Sequence, residues 1–162
     1  MLVAMAAVGG STLFVVLLIS DVFQNADRPS AKALAVGQAL YQKHCASCHG
    51  ANLEGQPDWQ MQLPSGRLPA PPHDASGHTW HHSDRLLFAI TKYGTAAVVG
   101  RGHQSDMPGF EPVLGEDQIR AVLAFIKSTW PEREQQYQLE MSRRDAAERR
   151  SNTELEEAPG KP

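Results

Sequence analysis

The chain has 162 residues, 41% of them hydrophobic, a formal charge of -3 and two cysteines. That length holds one compact domain with appendages, and the charge balance, with neither a basic stripe nor a basic tail, gives no support for a nucleic-acid partner. Two cysteines exclude a disulfide-rich secreted scaffold and leave no third thiol for other work.

From Leu2 to Ser20, LVAMAAVGGSTLFVVLLIS carries no charged side chain, and at helical rise it is long enough to cross a bilayer core. Residues 1–20 therefore read as a membrane anchor. The competing reading is a cleaved signal peptide, with AKA at Ala31 to Ala33 as the small-x-small site. A cleavage site normally follows the apolar run within a few residues, and this one lies well beyond it, so an uncleaved anchor is expected. No Lys or Arg precedes the run, while Arg28 and Lys32 follow it, the reverse of the positive-inside pattern for an exported C-terminal domain.

Residues 21–29, DVFQNADRP, are polar and end in proline, the composition of a short linker. A domain over 30–130 follows. Ser30 is placed to cap a helix over AKALAVGQALYQKHC, in which Leu34, Leu40 and Tyr41 give the apolar side and Gly37 interrupts good helix formers. From Ala51 to Trp80 the chain turns to Gly, Pro, His and Asp with little apolar periodicity. That predicts loops wrapped over something other than water, because structureless stretches this long are uncommon in compact domains.

Helical pattern resumes with SDRLLFAITKYG, capped by Ser83, stopped by Gly94 and burying Leu86, Leu87 and Ile90. After a glycine-containing loop, Glu116 to Trp130 forms the clearest predicted helix. Acids fill its first turn, and Ile119, Leu123, Ile126 and Trp130 recur at helical spacing. Pro131 ends or restarts it. Residues 131–162 are almost all polar, with Glu140–Arg144 and Asp145–Arg149 at i,i+4. They are expected to form a solvated helix that frays near Ser151 into disorder, since Tyr137 and Met141 cannot supply a coiled-coil seam.

The chemistry is concentrated in HCASCHG, His44 to Gly50. Structural zinc needs four ligands, usually in two pairs, and a second CxxC or HxxxH at matching spacing is absent. A thioredoxin-like dithiol follows a strand and opens a helix, whereas these cysteines end a helix. C-x-x-C-H is the attachment signal for c-type haem: two thiols at this spacing can add to the two vinyl groups of one porphyrin edge, and the histidine can turn beneath the ring to bind iron.

With that motif placed, residues from about Ala33 to Trp130 resemble the class I cytochrome c family. GQALYQKHCASCH looks like its first helix leading into the haem motif, with Gly37 and Tyr41 where that helix crosses the last one near Phe125. SDMPGF resembles its sixth-ligand loop, and LPAPPHD supplies the loop proline whose carbonyl orients the proximal histidine. The resemblance implies an all-α fold of about four helices around one covalently attached haem c, tethered by Cys45 and Cys48 and ligated by His49 and Met107. It makes Pro71 or Pro72 the orienting residue. The family commonly places a leucine shortly after that proline, where this chain has His73. Met61 follows the motif too soon to ligate and is expected to pack or to face solvent.

Four histidines, His73, His78, His81 and His82, crowd the loop, with Asp74 nearby and His103 further on. Imidazoles so placed could take copper or zinc. No spacing here fixes a metal geometry, so packing with Trp80 around the haem edge is the expectation. Arg67 and Arg101 are candidate donors to the haem propionates.

His/Met ligation leaves no open iron position and favours one-electron transfer over catalysis. The chain is therefore expected to be an electron carrier and not an enzyme, single-pass in the bacterial cytoplasmic membrane, with the haem domain in the periplasm or on the outer face. The resemblance implies redox partners such as a respiratory complex as donor and a terminal oxidase or periplasmic reductase as acceptor. The alternative is a haem-based ligand sensor or a copper-binding redox module using the histidine loop.

Overall fold

The computed structural model describes residues 29–157. The expected anchor over 1–20 and most of the linker lie outside them. Among the described residues no helix is long and apolar enough to cross a membrane. The chain falls into two units, Met1–Ser30 and Ala31–Pro162, and every described helix belongs to the second. These helices are α1 (Ala31–His44), a one-turn α2 (Ala46–His49), α3 (Asp84–Tyr93), α4 (Thr95–Val99), α5 (Glu116–Ser128) and α6 (Glu132–Glu157), with a 3-10 turn at Thr79–His81. The described part is all-α, without a strand; one isolated antiparallel bridge joins Gly94 to Pro108.

α1 and α5 form the principal helix pair, and a glycine sets how closely they approach. A Cβ on Gly37 would lie 2.0 Å from the Ala121 carbonyl oxygen and 3.0 Å from Phe125 Cβ. Any side chain there would force the helices apart. One turn on, Tyr41 is fully buried, with its ring 5.6 Å from that of Phe125. Its hydroxyl donates to the Gly50 carbonyl at 2.8 Å, which offsets the cost of taking a phenol out of water. Leu53, Val122, Ile126 and Trp130 complete the core around it. Each such side chain contributes about 1.5–3 kcal/mol by burial.

On α5 the buried positions are Ile119, Val122 and Ile126, with Leu123 only half-buried. The i, i+3, i+7 row wins over the expected Leu123 because α1 lies against that side of the helix, where Val122 is 1% exposed. α3 starts as predicted: the Ser83 hydroxyl accepts from Leu86 N at 3.3 Å. α4 occupies a stretch that reads as loop, because five residues between glycines are too few to show a period.

α6 departs most from expectation. It runs through Ser151 to Glu157, and its first half is docked rather than solvated. Gln138, 1% exposed, points its amide nitrogen at Asp84 Oδ1 (2.9 Å) and the His82 carbonyl (3.3 Å). Ser142 Oγ accepts from Asp84 N at 2.9 Å, satisfying a free N–H in the first turn of α3. Arg85 grips Asp145 with two nitrogens at 2.8 and 2.7 Å, the bidentate geometry that makes an exposed pair worth having. Tyr137 adds edge contacts to Trp80 and His81. An apolar seam is absent from the sequence because the attachment is made by polar groups, which hydropathy patterns do not register.

Candidate functional site

α1 ends at His44, and the chain makes a single further turn through Cys45 to His49. Cys45 is half-buried and Cys48 exposed; both thiols are free. Burial first, and the neighbouring Cys48 second, push the Cys45 thiol up to about 11. His49 is buried, 6% exposed, and its Nδ1 lies 2.8 Å from the Pro71 carbonyl oxygen. A carbonyl can only accept, so Nδ1 carries the proton and Nε2 keeps the lone pair. Burial holds His49 below the ordinary imidazole range, partly offset by that hydrogen bond, which favours the neutral ring with its lone pair at Nε2.

Pro71 is placed by backbone contacts on both sides. Gln56 N donates to the Ala70 carbonyl at 2.9 Å, Gly55 N to the His49 carbonyl at 2.7 Å and His73 N to the Leu53 carbonyl at 2.8 Å. Gly55 has a φ of +70°, and a Cβ on it would sit 2.5 Å from Pro72 N, so only glycine admits both the left-handed turn and the close approach. Pro72 is buried and its carbonyl oxygen lies 3.4 Å from Thr79 Oγ1. Of the two prolines, Pro71 is the one that touches the histidine.

Met107 is held from a different part of the chain. Thr95 Oγ1, in the first turn of α4, donates to its sulfur at 3.4 Å, and Met107 N donates to Ser105 Oγ at 3.2 Å. Beyond it the chain is tied to the end of α3 through Phe110 N to the Thr91 carbonyl and Glu111 N to the Lys92 carbonyl, at 3.0 and 3.1 Å. The structure thus gathers Cys45, Cys48, His49, Pro71 and Pro72 into one cradle and sets Met107 in a second loop, half-buried. Met61 is 67% exposed.

Two residues exceed what the sequence reading gave them. His73 stacks on His49 with ring centroids 3.9 Å apart and planes at 22°. Burial, then the neighbouring His49 and His78, hold it well below the usual imidazole range. The signal was the departure from leucine at this position. Arg67 pairs with Asp106 and keeps a buried Nε without a hydrogen-bond partner among the described residues. Arg101 is exposed. The loop histidines pair with aromatic rings: Trp59 stacks on His78 and Trp80 on His81. Among the described residues no three His, Cys, Asp or Glu side chains gather to hold a metal.

A helical domain whose first and last core helices cross at a glycine, with a CxxCH turn beneath a proline loop, defines a class I c-type cytochrome. The Cytochrome c family model matches residues 34–130, and the chain belongs to the cytochrome c family. It is 35% identical over 128 residues to the cytochrome bc1 complex cytochrome c subunit of Mycobacterium tuberculosis and of Mycobacterium bovis, covering 79% of this chain and 39% of each relative. The Mycobacterium leprae protein of the same description is 37% identical over 82 residues, covering 43% of this chain and 28% of that protein. The chain spans about two fifths of the length of the two longer matches, 39%. No solved structure matches it.

The residues present fit the haem that this family implies. Two free thiols precede a histidine whose outer nitrogen is unprotonated, and a buried guanidinium nitrogen without a partner suits a propionate. Leu63 and Leu68, near Arg67 in sequence, leave 45% and 48% of their surface uncovered.

Proposed function

We propose that the chain carries one electron at a time through a single haem c, joined by thioethers to Cys45 and Cys48 and ligated by His49 Nε2 and Met107 Sδ. The observation that carries this reading is the 2.8 Å contact of His49 Nδ1 with Pro71. It selects the tautomer a metal needs and aims the ring, as metal-bound histidines are held by a second hydrogen bond. When bound, the haem would supply a one-electron couple, and ligation by His49 and Met107 would raise its potential relative to two histidines. The protein's own part is to bury His49, to shield Cys45, to present Arg67 to a propionate and to hold Met107 by Thr95.

The similarity to bc1 complex cytochrome c subunits supports a respiratory complex as redox partner. The apolar run over 1–20 supports a single-pass anchor in the bacterial cytoplasmic membrane, with 30–130 as the haem domain on its outer face. In this reading 131–162 is an appendage of that domain.

The test is the oxidised spectrum of protein matured in a host that attaches haem c. A weak red charge-transfer band, lost in Met107→Ala while haem stays covalently bound, is the expected result. Attached haem with no such band in the parent overturns the His/Met assignment.

A further inference from the structure

We propose that His73 is a positioning residue that fixes the rotation of the His49 ring; the inference rests on His49 being the proximal ligand. The hydrogen bond from Nδ1 to Pro71 fixes one point of the His49 ring and leaves rotation about the N···O line free. A flat plate against the ring face removes that freedom, since turning would drive an edge of His49 into the plate at 3.9 Å. His73 is such a plate, and it is itself held at three points.

Its backbone N–H donates to Leu53 at 2.8 Å, and its carbonyl accepts from Trp130 Nε1 at 2.7 Å, a residue of the buried core. Its Nδ1 lies 2.7 Å from Thr79 Oγ1. That hydroxyl also faces the Pro72 carbonyl, 3.4 Å away, which can only accept. The hydroxyl proton therefore goes to Pro72, and its lone pair receives Nδ1–H of His73. Tyr41, fully buried, presents its ring to His73 from 6.4 Å at 71°. A leucine here could offer only dispersion contact in several rotamers. The imidazole offers a plane whose own rotation is set by Thr79, which is 5% exposed.

The orientation of an axial imidazole governs how unpaired spin spreads over ferric haem, so the four ring-methyl proton shifts and the anisotropy of the electron paramagnetic resonance signal report it directly. The experiment compares these spectra for the haem-loaded parent, His73→Ala, His73→Phe and Thr79→Val. Expected are the largest change in order and spread of the methyl shifts in His73→Ala, and smaller displacements in His73→Phe, which keeps a flat ring but loses the bond to Thr79, and in Thr79→Val, which loses the same bond. The methionine band should persist in all of them. A parent-like pattern in His73→Ala, or a pattern in His73→Phe as displaced as that of His73→Ala, overturns the inference while leaving the haem assignment standing. If His73→Ala fails to mature, Thr79→Val decides, because its side chain is isosteric and has no contact with His49: an unmoved pattern there overturns the inference. A parent that binds no haem overturns both readings at once.

Discussion

The loop from Gly50 to His82 and the loop from Gly100 to Phe110 are both rich in glycine, proline and polar residues and contain no α-helix, yet they are anchored differently. The first is pinned at both flanks: Gly55, Gln56 and His73 bond back to His49, Ala70 and Leu53, and Trp130 reaches in from the end of α5. The second is held more lightly on its near flank, by Gly100 N to the Ala96 carbonyl, His103 N to the Gly100 carbonyl and the ion pair of Asp106 with Arg67. Its Pro108 to Glu111 end is tied to α3, whereas Arg101 to Gln104 are exposed and Gly102 faces open space. His49 is thus held by structure that needs no ligand, and Met107 stands where the anchored half of its loop meets the loose half. The first loop is preorganised, and the second is left room to adjust.

The sharpest way to break this contrast is Gly55→Ala. It combines a left-handed φ with a Cβ 2.5 Å from Pro72 N, and should cost about 3 kcal/mol, seen as a lower urea midpoint and a disturbed methyl-shift pattern. Gly109→Ala comes next. Its Cβ would lie 2.7 Å from Tyr93 C without an unfavourable φ, so a loss of about 2 kcal/mol should come with weakening of the methionine band while haem attachment is unaffected. Gly102→Ala, with φ at +77° but nothing within 4 Å, should cost about 1 kcal/mol and leave the band unchanged; a larger loss would mean that the loose half is not loose.

Two smaller effects refine the comparison. Thr95→Val removes the hydroxyl donated to Met107, a bond worth about 0.5–1 kcal/mol. Carbon monoxide should then displace the methionine from reduced protein a few times faster, with the melting temperature lowered by only a few degrees. The first loop carries the cluster of histidines. His78 and His82 lie below the usual imidazole value of 6.5, chiefly through burial and then through neighbouring histidines. Above 6.5 they are neutral in both states. As pH falls through 6.5 the unfolded chain takes up protons that the folded one resists, so stability declines toward acid. His78→Gln with His82→Gln should reduce the drop in urea midpoint between pH 7.5 and 5.5; an undiminished drop would assign it to other groups.

Much of this was legible in the chain. CxxCH places two thiols and a histidine by covalent spacing alone, Ser83 and Gly94 bound a helix by local capping, and Gly37 in a good helix called for something packed on it, which the family resemblance placed at the crossing with the last helix. Val122 was less accessible, since its neighbour Leu123 fits a helical stripe equally well and only the position of α1 chooses between them. The attachment of α6 was hidden altogether: Gln138, Ser142 and Asp145 read as solvated residues until their partners Asp84 and Arg85 are seen some fifty to sixty positions upstream.

What the sequence determined by itself was the chemistry carried by short spacing: the CxxCH turn, the Met107–Pro108 step, the helix signals and the apolar N-terminal run. What only the tertiary structure decided was which groups from distant segments meet: Pro71 rather than Pro72 on His49 Nδ1, His73 against its face, Thr95 on the Met107 sulfur, and α6 on the start of α3. The reason is physical. Spacing within one turn is set by the backbone, whereas these contacts join residues brought together by burying Tyr41, Leu53 and Trp130 in one core, an outcome of the whole chain and not of any segment.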